Sequence, residues 1–264
     1  MLLAIDVSNT TIKAGVFRGD ALLADWRFAT ERQKLADEYA ILLLNLFRAN
    51  GIAVEDIRGV SISCVVPPLR AVFDQLSRQY LCVEPLMVGP HTRSGVTLSV
   101  DNPAEVGADR VVNAAATHHL YGGPAIAIAF GTATVFDCVS ARGEYLGGAI
   151  APGMVTALES LTRSAAQLYQ VELVRPPRAI GTNTVHTMQS GLILGYAALV
   201  EGLVTRLKAE MAPVEEDRQA VRVIATGGLV EVITPETKAI DVIDPLLTLK
   251  GLRLIHELNG FRDS

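Results

Sequence analysis

The chain has 264 residues, of which 50% are hydrophobic, 19% charged and 5% aromatic. That composition suits one large or two ordinary folded domains and excludes a disordered chain. A net charge of −5 argues against nucleic acid as the main partner, because a phosphate backbone demands clustered Lys and Arg. It leaves room for a small anion held by backbone amides.

The N-terminus, MLLAID, has no basic segment and meets a charge at Asp6, so it reads as a first strand and not as a signal peptide. Leu2 to Ile5 is a buried apolar run. The turn DVSNTTIK follows, then a second strand through Val16 and Phe17, the turn Arg18-Gly19-Asp20, and a third strand ALLADWRFAT. The tip of this hairpin carries hydroxyls, an amide and Lys13. Backbone N–H groups and Thr hydroxyls at such a tip can donate to phosphate, with Lys13 as a point charge. The plain alternative is an ordinary polar turn. Residues 34–50 read as an amphipathic helix stopped by Gly51. GVSISCVVPPL is a strand closed by Pro67-Pro68, Leu69 to Tyr80 a helix, and Pro85 to Val88 a short strand. Alternating strands and helices after a hairpin predict an α/β sheet.

Asp101 to Arg110, DNPAEVGADR, is the densest run of chemically committed residues. Asp101 or Asn102 as N-cap, Pro103 in the first turn and Glu105 within it predict a helix start. Gly107 interrupts that start, and Asp109 and Arg110 follow. A carboxylate at a glycine-marked bend can act as a general base in a cleft; alternatively Asp109 is a cap and Arg110 its surface partner. His118 and His119 lie on the next helix without a third ligand at metal-like spacing, so they read as packed or partly exposed histidines.

Pro124 to Phe130 is a further buried strand, followed by GTATVFDCVS and the turn ARGEYLGGAI. This repeats the opening hairpin, with Thr132 and Thr134 where Asn9, Thr10 and Thr11 stood. Two such hairpins predict an internal duplication with a nucleotide between two similar domains. Gly147-Gly148 and Pro152-Gly153 precede a helix over Val155–Tyr169. RPPRAIGTNTVHTMQSG is a loop offering Thr182, Asn183 and Thr184 as ligand contacts or turn stabilisers. Gln189 to Ala209 is a long apolar helix, Val221 to Ala225 a strand ending in Thr226-Gly227-Gly228, an adenosine-type motif where a purine ring can lie against the backbone, and DPLLTLKGLRLIHELNG a capped last helix. Cys64, Cys82 and Cys138 lack redox or metal spacing and read as buried, inert thiols. Runs such as PAIAIAF fall short of a membrane span, so a soluble, cytoplasmic protein with no membrane partner is expected.

Taken together, DVSNTTIKAGVF, DNPAEVGADRVVNA, FGTATVFD, GGAIAPG, IGTNTVHTMQSG, ATGGL and DPLLTLKGL resemble, in order, the motifs of the type III pantothenate kinases. These belong to the acetate kinase, sugar kinase, Hsp70 and actin superfamily. The resemblance spans roughly Leu2 to Leu258. It implies an α/β fold of two similar actin-like (ribonuclease H-like) domains with a nucleotide cleft between them. Residues 1–115 would form the first domain and 116–264 the second. It implies ATP-dependent phosphorylation of pantothenate to 4'-phosphopantothenate, the first step of coenzyme A biosynthesis, by a homodimer whose pantothenate pocket is completed at the dimer interface. By the same resemblance Asp109 is the base. Gly107, Ala108, Arg110 and Thr184 contact substrate, with Arg110 suited to its carboxylate. Asp6, Val7, Ser8, Asn9, Thr10, Thr11, Ile12, Lys13 and Thr132 bind ATP, and Asp6 suits magnesium through water.

Three positions depart from the family pattern. Its first loop reads Asp-x-Gly-Asn-Thr, and here Ser8 replaces the glycine that permits positive φ. Ala129 stands where an Asp coordinates the monovalent cation, potassium or ammonium. Val100 stands where many members carry a tyrosine near the substrate. The alternative to a working kinase is therefore a non-catalytic paralogue acting as a ligand-binding sensor or accessory protein. Pantothenate-dependent turnover discriminates the two.

Overall fold

The computed structural model describes residues 1–260. The chain divides into two compact units, one comprising Met1–His119 with the segment from Leu246 onward, the other Leu120–Pro245. In the first unit, β1 (Leu2–Val7), β2 (Thr11–Arg18) and β3 (Ala21–Ala29) form the expected hairpin meander. Helix α1 (Ala36–Ala49), β4 (Gly59–Cys64), α2 (Pro67–Tyr80) and β5 (Pro85–Met87) follow, then a two-residue strand β6 (Thr97–Leu98) and α3 (Ala108–Tyr121). The sheet order is β3-β2-β1-β4-β5. Strands β1–β3 are antiparallel neighbours, and β1, β4 and β5 run parallel.

β1 is buried along its whole length, which is why its sequence is continuously apolar up to Asp6. Leu3, Ile5 and Val7 point into a core with Tyr39, Leu43 and Phe47 of α1 and Leu69 and Phe73 of α2. The prolines at 67 and 68 occupy the first turn of α2, where a missing N–H costs nothing.

The second unit repeats the plan. β7 (Ala125–Phe130), β8 (Ala133–Val139) and β9 (Glu144–Pro152) form a meander, followed by α4 (Met154–Ser164) and a helical stretch. That stretch is α5 (Thr184–Gln189), a π turn over Ser190–Leu194 and α6 (Gly195–Met211). β10 (Arg222–Gly227), α7 (Val230–Ile233) and β11 (Val242–Ile243) complete it. Within this unit the strands run β9-β8-β7-β10-β11, the counterpart of β3-β2-β1-β4-β5. Even the register shifts correspond, at Val16/Phe17 and at Cys138/Val139. The internal duplication read from the two hairpins is thus present in the topology.

Three expectations change. First, the last helix, α8 (Leu247–Leu258), belongs to the first unit, whereas a boundary after residue 115 assigned it to the second domain. Its apolar face (Leu249, Leu252, Ile255) packs on Leu2, Ala4 and Phe17 and on Val112 and Ala115 of α3, covering the other side of the first sheet. Second, the long apolar helix begins at Thr184, because the Asn183 side chain accepts a hydrogen bond from the His186 N–H (2.8 Å) and caps it. The stretch Thr184–Met211 is long and apolar enough to cross a membrane by length and composition alone, but Met188, Leu192, Ile193, Tyr196, Val200 and Val204 join the second core. Third, Cys138 is buried and Cys64 half-buried, but Cys82 is exposed and has a positive φ of 54°.

Candidate functional site

Strand register sets up the first half of the site. Asp6 on β1 stands opposite Lys13 on β2 and opposite Ser63 on β4. Asp6 is only 3% exposed. Burial pushes its carboxyl pKa up to about 6; Lys13 holds it down, Asp109 pushes it up further, and the Ser8 and Ser63 hydroxyls lower it. Burial lowers the Lys13 pKa, which Asp6 opposes and nearby Arg27 reinforces. Asp6 and Lys13 are therefore counter-charges withdrawn from water, each favouring the ionised form of the other.

The loop between β1 and β2 is held by its own backbone. Ser8 N–H donates to Thr11 O (3.3 Å), and Thr30 Oγ1 donates to Ser8 O (2.7 Å). Ser8 Oγ donates to Asp6 Oδ2 (3.2 Å). Cys82 is the one non-glycine with positive φ among the described residues, so Ser8 sits in ordinary backbone and the missing glycine imposes no strain. Asn9 and Thr10 are exposed at the tip, where Arg32 Nη2 reaches Asn9 Oδ1 (3.1 Å).

The DNPAEVGADR segment differs in detail from the expected helix start. Pro103–Glu105 is a single 3₁₀ turn, with no side-chain cap from Asn102 to its backbone; Asn102 Nδ2 donates instead to Glu105 Oε1 (3.3 Å). The α-helix begins only at Ala108, after Gly107. Asp109 lies in its first turn, where a negative charge suits the exposed N–H groups. Its Oδ1 accepts from the Arg110 N–H (2.9 Å). A Cβ on Gly107 would lie 2.6 Å from that Oδ1, so glycine leaves the space the carboxylate occupies. Burial raises the Asp109 pKa, opposed by the N–H and the charge of Arg110. The first unit thus brings Asp6, Ser8, Lys13, Gly107, Asp109 and Arg110 into one neighbourhood, with two carboxylates both displaced toward the proton-accepting range.

In the second unit Thr132 is exposed on the β7–β8 turn, the counterpart of the first loop. Its carbonyl accepts from Gly153 N–H (2.9 Å) and Thr156 Oγ1 (2.8 Å), tying the turn to the start of α4. A Cβ on Gly153 would lie 2.1 Å from Gly131 O, so glycine permits a close backbone approach there. Thr184 is exposed at the first position of α5.

The buried hydroxyl of Ser63 carried no sequence expectation, and that of Thr226 was named only within a strand-end motif. Ser63 and Thr226 are fully or almost fully buried, and their hydroxyls make no hydrogen bond among the described residues. The available signal was polar residues at alternating positions in apolar strands, SIS in β4 and the final Thr of β10.

The implied cations can be tested against these residues. Asp6 Oδ1 is buried without a hydrogen-bond partner among the described residues, which suits a hydrated magnesium ion. No group of three or more metal-ligating side chains occurs among the described residues, so such an ion would keep most of its waters. A carboxylate-bound potassium does not fit. Ala129 offers only its backbone, and the residue opposite it on β10 is Thr226, a neutral hydroxyl.

A family model described as type III pantothenate kinase matches residues 2–206. A type III pantothenate kinase of Roseiflexus sp. (strain RS-1) is 57% identical over 259 residues, covering 98% of this chain and 99% of that one. Among solved structures, a Baf family protein of Campylobacter jejuni has a TM-score of 0.60 at 17% identity, covering 97% of this chain and 98% of that one. A polyphosphate/ATP-glucomannokinase of Arthrobacter sp. strain KM has a TM-score of 0.52 at 15% identity, with 98% of each chain covered. Those two likenesses concern the fold, a pair of actin-like domains built on mixed sheets. With a family match over most of its length and a relative this similar from end to end, the chain belongs to the type III pantothenate kinase family.

Proposed function

We propose that this chain transfers the γ-phosphoryl group of ATP to the hydroxyl of pantothenate, giving 4'-phosphopantothenate and ADP. The observation that carries the reading is the pair Asp6 and Asp109, two partly desolvated carboxylates with Lys13 beside the first and Arg110 beside the second. Asp109 takes the hydroxyl proton as the oxygen attacks, and its raised pKa makes it a better base than a solvated carboxylate. Gly107 and Ala108 shape that pocket, Arg110 meets the substrate carboxylate, and Thr184 adds a hydroxyl. The residues from Asp6 to Lys13 cradle the phosphates, Lys13 offsets their charge and Thr132 adds a donor. Magnesium, when bound near Asp6, supplies charge neutralisation on the transferring group, the main requirement of phosphoryl transfer. Ser8 imposes no backbone strain, and Asp6, Lys13, Asp109 and Arg110 are all retained, which favours a working kinase over a non-catalytic paralogue.

Two further parts belong to this proposal. The homodimer is supported by apolar side chains left exposed on β9 and α4, such as Ile150 at 63% and Leu146 at 42%. A cytoplasmic location is supported by the metabolic character of the family.

The test is pantothenate-dependent ADP release by the purified protein with ATP and magnesium, titrated with potassium. Turnover that is nearly flat across the titration is the expected result, because Ala129 provides no carboxylate for the cation. Ala129→Asp is expected to make the rate rise with potassium. Absence of turnover at every potassium concentration would overturn the kinase reading.

A further inference from the structure

Asp6 is flanked by two hydroxyls from different elements. Ser8 reaches it from the loop, with Oγ 3.2 Å from Oδ2. Ser63 faces it from the neighbouring parallel strand in direct register. Ser63 is fully buried, and its Oγ is near enough to the Asp6 carboxylate to lower its pKa, although no bond between Ser63 Oγ and Asp6 Oδ1 reaches full hydrogen-bond geometry. A buried polar atom left unsatisfied costs about 1–3 kcal/mol, so closing the gap between these two neighbours on adjacent strands is favoured. Ser61, one pleat away, is also buried and unpartnered, but it faces Ala4 and has no acid opposite. It is the natural control.

We propose that Ser8 and Ser63 are positioning residues that hold the two oxygens of the Asp6 carboxylate, fixing its orientation toward the magnesium-bound phosphates of the nucleotide. The inference rests on the reading of the first loop as a nucleotide site. It also gives the departure at position 8 a purpose. The loop does not use the conformational freedom of a glycine there, and a glycine has no hydroxyl to offer Asp6. The seat of the carboxylate therefore comes partly from a residue of this chain that the family pattern lacks.

The test is calorimetric titration of the full chain with ADP, with magnesium and with a chelator, for the wild type, Ser8→Gly, Ser63→Ala and Ser61→Ala. The wild type is expected to bind ADP more tightly with magnesium. Ser8→Gly and Ser63→Ala are expected to cut that enhancement about tenfold, as loss of a group that orients a metal-facing ligand does. Their metal-free ADP affinity falls by much less than the enhancement does, Ser61→Ala behaves as the wild type, and Ser8→Thr restores the enhancement. Retention of the full enhancement by both variants overturns the proposal. So does an equal loss with and without magnesium, which marks a merely structural effect. If Ser63→Ala fails to fold, Ser8→Gly decides alone, because residue 8 is a half-buried loop position. A wild type that does not bind ADP at all overturns the nucleotide reading, whereas ADP binding without magnesium enhancement overturns this proposal alone.

Discussion

Asp109 answers to two demands, a place in the first turn of α3 and a proton affinity above that of a free carboxylate. Asp109→Asn keeps the shape and removes the base, so turnover should fall by about 10²–10⁴-fold with ADP binding nearly unchanged, read by steady-state rates and calorimetry. A wild-type rate in that variant would remove Asp109 from the base role. The pH dependence follows from the same carboxylates. With Asp6 near 6, kcat/KM should drop as the pH falls through about 6 and Asp6 takes up its proton, and the raised Asp109 carboxyl adds to the loss in the same direction. Stability runs the other way. The native state holds a proton on Asp6 between roughly pH 4 and 6 that the unfolded chain has released, so this group makes the fold less stable as pH rises through that window. Asp6→Asn should therefore flatten the pH dependence of stability between about pH 4 and 6, while weakening nucleotide binding. Thermal melts at the two pH values measure it.

At the scale of elements, the first unit depends on how closely α8 approaches α3. A Cβ on Gly251 would lie 2.6 Å from Val112 O and 3.0 Å from the Ala116 Cβ. Gly251 and the alanines of α3 let the two backbones come together over β1. Gly251→Val should push them apart and cost about 1–3 kcal/mol, the usual range for overpacking, seen as a lower denaturation midpoint. A midpoint equal to the wild type would mean that the helices separate freely. Displacing α3 would also shift Asp109, so activity should fall further than stability alone explains.

At the scale of the molecule, the first sheet is completed by the last helix. β1, at the start of the chain, is covered on one face by α8, at its end. A chain ending at Asp244 would expose Leu2, Ala4, Phe17 and Val112 together. Hydrogen exchange should then show lost protection in β1 and β4 and retained protection in β7 and β10 of the second unit. Equal protection in both units would mean that α8 is dispensable.

The sequence by itself determined most local elements, the duplicated hairpins and the placing of Asp6 at the end of a strand and of Asp109 just past a glycine. Apolar period, prolines and glycines act over a few residues, and so they are legible in order. It also carried the family, since the motifs are contiguous stretches. Tertiary structure alone decided what depends on residues far apart in the chain. Ser63 is unremarkable in SISC until strand register sets it against Asp6, 57 positions away by number. α8 reads as the end of the second domain until its apolar face finds β1. Ser8 can stand where the family has glycine for the same reason, because its backbone is held without positive φ by a loop tied to Thr11 and Thr30.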